Sequence, residues 1–297
     1  MKTIILLIII SGLLFSCEEN DTPPVETPVA LYTLPVVVHI IHSGEDVGEG
    51  ANLPEERVRE QIKSLNDDFR RVPGTLGENN SPLSDDAFIQ FKLAEIDPEG
   101  NPTNGIHRVN YFDAENETDL FDKLPTIAYW NPEKYLNIWV YGGLPPNTLA
   151  GRASLPTTDL PGLEDELGTI GDAVMINVHH FGKSDVEGPL NLGKTLTHEM
   201  GHFLGLLHVW GKVHEGKPCL EFDDFVEDTP PVSNAIDCNG GTPLACDGQP
   251  APVNNYMNLT ADKCLNMFTK GQIERMRYVL ENAVRRKSLL TSEAIDR

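Results

Sequence analysis

One run constrains this chain more than any other. From Thr197 to His208 it reads Thr-His-Glu-Met-Gly-His-Phe-Leu-Gly-Leu-Leu-His. His198 and His202 are four residues apart, so on a helix both imidazoles project from one face. That suits two bonds of about 2.0–2.1 Å to one zinc ion. Gly205 is expected to end the helix in a turn that only glycine takes cheaply. The turn lets His208 approach from another direction as a third ligand. Three neutral imidazoles leave a fourth position for water, the open arrangement of a catalytic site. Zinc lowers the pKa of bound water towards roughly 7. Glu199, near the metal but not a ligand, is expected to take that water's proton as it attacks a peptide carbonyl, then pass it to the leaving amine. A helix with two surface histidines and a capping glycine is the bland alternative. It leaves Glu199 and His208 unexplained, and adding Gly205 and His208 at fixed offsets lowers chance occurrence by roughly a factor of 400.

Residues 1–16 read as a signal peptide. Lys2 supplies a positive start, and Ile4 to Phe15 is an apolar run too short for a stable membrane span. It ends in Leu14-Phe15-Ser16-Cys17, which resembles a bacterial lipobox, so Cys17 is the expected lipidation site. An ordinary signal peptide cut elsewhere remains the alternative. Residues 17–33 then form a lipid-anchored tether. Glu18-Glu19-Asn20-Asp21 resembles an acidic run that directs lipoproteins to the outer face of an outer membrane, and Thr22 to Ala30 is rich in Pro and Thr. The expectation is an exported protein, at the cell surface or secreted, whose only membrane contact is its lipid anchor. Without Cys17 four cysteines remain: Cys219, Cys238, Cys246 and Cys264. An even set in an exported chain implies two disulfides, with three pairings open. They lack the Cys-x-x-Cys spacing of a metal site. A net charge of −22 argues against nucleic acid as a partner, because phosphate recognition needs clustered Lys and Arg.

From Leu34 onward strands alternate with helices. Pro35 to Ile41 is β-branched and reads as a buried strand. Asn52-Leu53-Pro54-Glu55 opens a helix, with Asn52 as cap and Glu55 returning the bond. Val58, Ile62, Leu65 and Phe69 share one face of it. Further strands are expected at Phe88 to Ile96, Leu136 to Tyr141, Ala173 to Val178 and, as a short edge, Ala150 to Leu155. Helices are expected from about Leu190 to Leu207 and from Lys270 to about Arg286. This order suggests a mixed α/β sheet domain beside an irregular, disulfide-tied part. Its pieces are an N-terminal catalytic subdomain at 34–208 and a C-terminal one at 209–297.

Downstream, Asn255-Tyr256-Met257-Asn258 lies where a Met-turn belongs, with Met257 49 residues after His208. Met257 would support the imidazoles from below as a soft apolar group, not as a ligand. With Leu34 to His39, His198 to Trp210, Asp228-Thr229-Pro230, Tyr256-Met257 and Cys264 to Thr269, the chain resembles the pappalysin family of metzincin zinc peptidases, especially its small bacterial members. The resemblance spans roughly Leu34 to Arg286. It implies a metalloendopeptidase acting on peptides or proteins, and a monomer is expected. It also implies a twisted mixed five-stranded sheet with two long helices above the cleft, and a loop-rich C-terminal subdomain with a closing helix below.

The resemblance further implies the pairs Cys219–Cys246 and Cys238–Cys264. It implies a calcium site in the loop Asp223 to Thr229, with Asp224, Asp228 and Thr229 as ligands. Ligand type alone leaves a solvated acidic loop as the alternative. Asp262, two residues before Cys264, matches a carboxylate in the pocket for the residue after the cut, where it would favour Arg or Lys. Two features depart from the family. Leu259 stands where relatives carry a Tyr that binds the reaction intermediate, and Leu has no hydrogen-bond donor. The stretch from Cys17 to Leu34 is too short for the propeptide that keeps relatives latent, so no cysteine-based latency is expected. Leu259 keeps a rival reading open: a catalytically weak surface lipoprotein that binds peptides on the same fold.

Overall fold

Strand β1 (Tyr32–His42) is buried from Leu34 to Ile41, as its unbroken apolar run requires of a strand covered on both faces. In this computed structural model, residues 28–111, 120–163, 171–185, 187–212, 216–241 and 243–296 are described. The signal segment, Cys17 and most of the tether lie outside them, as does His214. Strand β4 (Leu136–Tyr141) pairs parallel with β1, and β6 (Ala173–Asn177) pairs parallel with β4. The short β5 (Gly151–Ala153) closes that edge antiparallel to β6. On the far side of β1, two strands share one edge. β2 (Ile89–Leu93) lies along Tyr32 to Val36, and β3 (Ile106–Asn110) follows along Val38 to His42. Six strands thus fill the five positions of the expected mixed sheet. The expectation missed β3 because its sequence, Ile-His-Arg-Val-Asn, has no clean alternation, and none of its residues is fully buried.

Side chains alternate across the sheet. Leu34, Val36, Val38 and Ile40 face α1 (Glu55–Phe69), which presents Val58, Ile62, Leu65 and Phe69. Each such side chain stabilises the fold by roughly 1.5–3 kcal/mol when fully buried. Ile41, Trp139, Tyr141 and Met175 face the other way, against Leu124 of α2 (Leu120–Ile127). The first face also receives Leu196, Met200 and Phe203 from α3 (Lys194–Phe203), and Met276 and Leu280 from α4 (Lys270–Asn282). Residues 31–297 form one compact unit.

Three local expectations need correction. The cap expected at Asn52 does not form: Pro54 occupies the cap position without a side-chain bond. Asn52 instead accepts from Arg108 (2.5 Å) and donates to the Glu45 carbonyl, while Glu55 pairs with Arg59. A long-range guanidinium has outcompeted the local bond. A complete capping box occurs at α4, between Thr269 and Gln272. Helix α3 is also shorter than expected. Gly193 at φ 78° breaks the run before it, and the carboxylate of distant Asp262 accepts the amides of Leu192 and Lys194. The last helix stops at Asn282, and Arg285 turns at φ 66° into α5 (Arg286–Leu289). Buried Arg286 requires that break, because it pairs with Asp172 (2.6 Å) and donates to the Phe203 carbonyl.

Both implied disulfides form, Cys219–Cys246 and Cys238–Cys264. Their Cα separations of 5.8 and 6.4 Å suit the bond. Among the described residues, no helix is long and apolar enough to cross a membrane.

Candidate active site

Helix α3 carries His198, Glu199 and His202 against the sheet. It ends in a paired turn: Leu206 N donates to Gly201 O (2.9 Å) and Gly205 N to His202 O (2.8 Å). Gly205 sits at φ 90°, and a Cβ there would stand 2.7 Å from Val279. The turn brings His208 back towards the helix, so the ligand atoms of His198, His202 and His208 all lie within 4.8 Å of one another. No other group of three or more His, Cys, Asp or Glu among the described residues has metal-holding geometry.

The rings are already aimed. His198 Nδ1 lies 2.7 Å from the Tyr256 carbonyl and His202 Nδ1 lies 2.8 Å from the Leu206 carbonyl. A carbonyl only accepts, so each Nδ1 carries the hydrogen and each Nε2 keeps its lone pair for a metal. His202 Nε2 and His208 Nε2 are 3.2 Å apart, and His208 stacks on Trp210 at 4.3 Å between centroids. Burial lowers the pKa of all three rings, for His208 to about 3, and neighbouring imidazoles add to the effect at His198 and His208. Neutral imidazoles with converging lone pairs are the donor set that zinc takes.

Met257 is wholly buried, with Sδ against Gly201, where any Cβ would collide with it. Its amide is held by Asn255 Oδ1 at 2.8 Å. Asn255 in turn exchanges side-chain hydrogen bonds with Gln272, so the capping box of α4 also fixes the Met-turn. Deeper still, Asp68 of α1 pairs with Lys194 and accepts from Thr197 (2.6 Å), with both charged groups about 1% exposed. Sequence reading missed these supports, because their partners are far apart in the chain.

Glu199 is buried, and burial pushes its carboxyl up to about 8, against a smaller opposing effect of Arg152. Strand β5 passes directly over it. A Cβ at Gly151 would stand 2.7 Å from Glu199 Cγ, so this glycine permits the close approach. Glu199, His198 and Asp262 line one cleft of about 570 Å³, with Leu259 on its wall. Leu259 is 53% exposed. Tyr256 does not replace the missing tyrosine, because it is buried against Phe268 with its hydroxyl towards Asp68. Asp262 is 1% exposed. Its Oδ2 takes the two amides before α3, while Oδ1 is buried without a hydrogen-bond partner.

The family model described as Pregnancy-associated plasma protein-A, Peptidase_M43, matches residues 119–281. The chain belongs to this family, the pappalysins. Its fold matches mature mirolysin of Tannerella forsythia in complex with a cleaved peptide. The TM-score is 0.72 and the identity 33%, over 88% of this chain and 96% of that one. Promirolysin from the same organism matches with a TM-score of 0.74 and 32% identity, over 89% and 85%. An extracellular metalloprotease of Arthroderma gypseum is 27% identical over 87% of this chain and 76% of its own length. The protein is thus a pappalysin metalloendopeptidase of the metzincin type that takes peptide or protein substrates, and membership implies a catalytic zinc.

The acidic loop is arranged differently. Asp224 is buried, its carboxyl pushed up to about 7, and its Oδ1 accepts from Thr229 (2.6 Å) and from Val226 N. Asp228 instead accepts from Gly271 N at the start of α4 (2.9 Å), and its Oδ1 is buried without a partner. Asp224 and Thr229 are therefore together, with Asp228 turned towards the helix.

Proposed function

We propose that His198, His202 and His208 hold the zinc and that Glu199 is the general base and then the general acid of peptide hydrolysis. The convergence of three Nε2 atoms beside a buried carboxylate carries this reading. A bound zinc supplies Lewis acidity and makes water acidic enough to attack at neutral pH. Glu199 accepts a proton from the attacking water and returns it to the leaving amine as the C–N bond breaks. The dication would draw Glu199 back to its ionised form. The Tyr256 and Leu206 carbonyls keep two rings from rotating.

Asp262 is read as the anchor for Arg or Lys after the cut, because its buried Oδ1 has no other partner. Cut-site mapping on a peptide library tests this. Cuts before Arg or Lys that shift in Asp262→Asn are expected, and apolar residues at that position would refute it. Calcium is read into the acidic loop through Asp224, Asp228 and Thr229, where a cation would relieve both the buried Asp224 and the orphaned Asp228 oxygen.

Leu14 to Cys17 supports a chain anchored through lipid at Cys17, at the outer membrane, and the extracellular names of relatives support export. Mass spectrometry of the mature N-terminus tests the anchor. The chain is read as partitioned at His208 into a subdomain at 34–208 and one at 209–297, a reading supported by a cleft that takes lining residues from both sides of that point.

A further inference from the structure

His180 follows β6 and takes no part in the steps above. It is 6% exposed, yet its ring meets two backbone oxygens: Nδ1 lies 2.8 Å from the Leu190 carbonyl and Nε2 lies 2.8 Å from the Pro146 carbonyl. Neither carbonyl can donate. A neutral imidazole has one N–H, so it satisfies one oxygen and sets a lone pair against the other. Only the imidazolium donates to both.

The two oxygens belong to different segments, of which the Pro146 loop lines the cleft only through Ala150. Leu190 and Pro189 line it beside Asp262, whose amide donates to the Pro189 carbonyl at 2.8 Å. Pro146 lies in the loop from β4 to β5, the strand that starts with Gly151 against Glu199. Asn177 holds the same loop through the Pro145 and Leu149 carbonyls (3.0 and 3.2 Å). Residues 177 and 180 are therefore the peg on which that loop hangs, and His180 alone of the two also reaches the Leu190 segment.

Charged groups face His180 from several elements. Asp262, on the C-terminal loop, interacts with its charge, and Glu187 lines the same small hollow. Both favour the cation. His179, the preceding residue, opposes it, while Arg57 of α1 acts on His179 and is tied to the Val178 and Phe181 carbonyls.

We propose that His180 is a positioning residue whose ring, donating from both nitrogens, joins the β4–β5 loop to the wall of the substrate pocket, so that substrate binding weakens when either bond is removed. The proposal rests on the reading of the cleft as the substrate site. Removing one of the two bonds leaves a buried carbonyl without its donor and frees the two segments from each other.

The test uses the full-length, zinc-loaded protein. Long-range proton–nitrogen spectra report which ring nitrogens carry hydrogen, whether or not any peptide is cut. The expected result is a histidine signal, missing in His180→Gln, with hydrogen on both ring nitrogens. In parallel, KM for a peptide should be about tenfold higher in His180→Gln than in wild type, the loss of roughly one buried hydrogen bond, with kcat changing less. A ring with a single N–H overturns the proposal. If His180→Gln lowers the melting temperature but keeps the wild-type KM, the ring is packing alone and the proposal fails. Should wild type cut no peptide at any pH, the peptidase reading falls, and the spectra still decide whether the ring bridges both carbonyls.

Discussion

The imidazole cluster and the acidic loop are two candidate metal sites built on opposite plans. At the cluster, the ligands sit on a helix and on the turn that ends it, and two of the three rings have their second nitrogen held by a carbonyl. Nothing need move to accept an ion. In the loop, Asp224 is engaged with Thr229 and Asp228 with Gly271, and one carboxylate oxygen is buried without a partner. To hold a cation that loop would have to rearrange, and as it stands it leaves one buried carboxylate oxygen unsatisfied. A preorganised site serves chemistry, whereas an unsatisfied one couples ion binding to stability.

The comparison can be broken in several places. The largest effect belongs to Glu199→Ala, expected to lower kcat/KM at least about a thousandfold while the melting temperature holds or rises, since a buried carboxylate is removed. Chelating the zinc should do the same to peptide cleavage and leave the circular dichroism spectrum in place. If chelation unfolds the protein, the cluster is not preorganised. Leu259→Tyr restores a donor at the exposed cleft wall, and a rise of about tenfold in kcat is expected in steady-state assays, at the low end for one transition-state hydrogen bond.

Gly201→Ala drives a methyl into Met257 Sδ and should cost about 1–3 kcal/mol in urea unfolding, with weaker zinc retention. The smallest effect is at the loop. The folded Asp224 carboxyl titrates at about 7, above its ordinary value, so calcium-free stability should fall as pH rises from about 4 to about 7 and stay level beyond. Calcium at about pH 8 should then raise the melting temperature by a few degrees, and Asp224→Asn should abolish the gain. An identical calcium response in that variant would leave the loop a solvated acidic turn.

What the sequence allowed a reader to see follows the range of each interaction. The helix, its glycine stop and the third histidine are local, so twelve residues of chain were enough to expect their convergence. The carbonyl of Tyr256, 58 residues from His198, carries no sequence signal, because any residue type supplies one. The same holds for Asp262 at the start of α3 and Asp68 beneath it. Asn52 illustrates the reverse failure: a sound local cap motif lost its side chain to Arg108, 56 residues away. Thr269 and Gln272 carry an equally local signal, and that capping box does form.

Both cystine bridges lie in the chain after His208. One ends two residues after Asp262, and its other half follows Asp237 at the cleft mouth. The imidazoles need neither bridge. Production in a reducing cytosol should therefore give a chain that still takes up metal but has a loosened floor, so recombinant preparations can pass a metal assay while misreporting which peptides they cut. On the proposed exported reading, passage through an oxidising compartment is the step that finishes the tool.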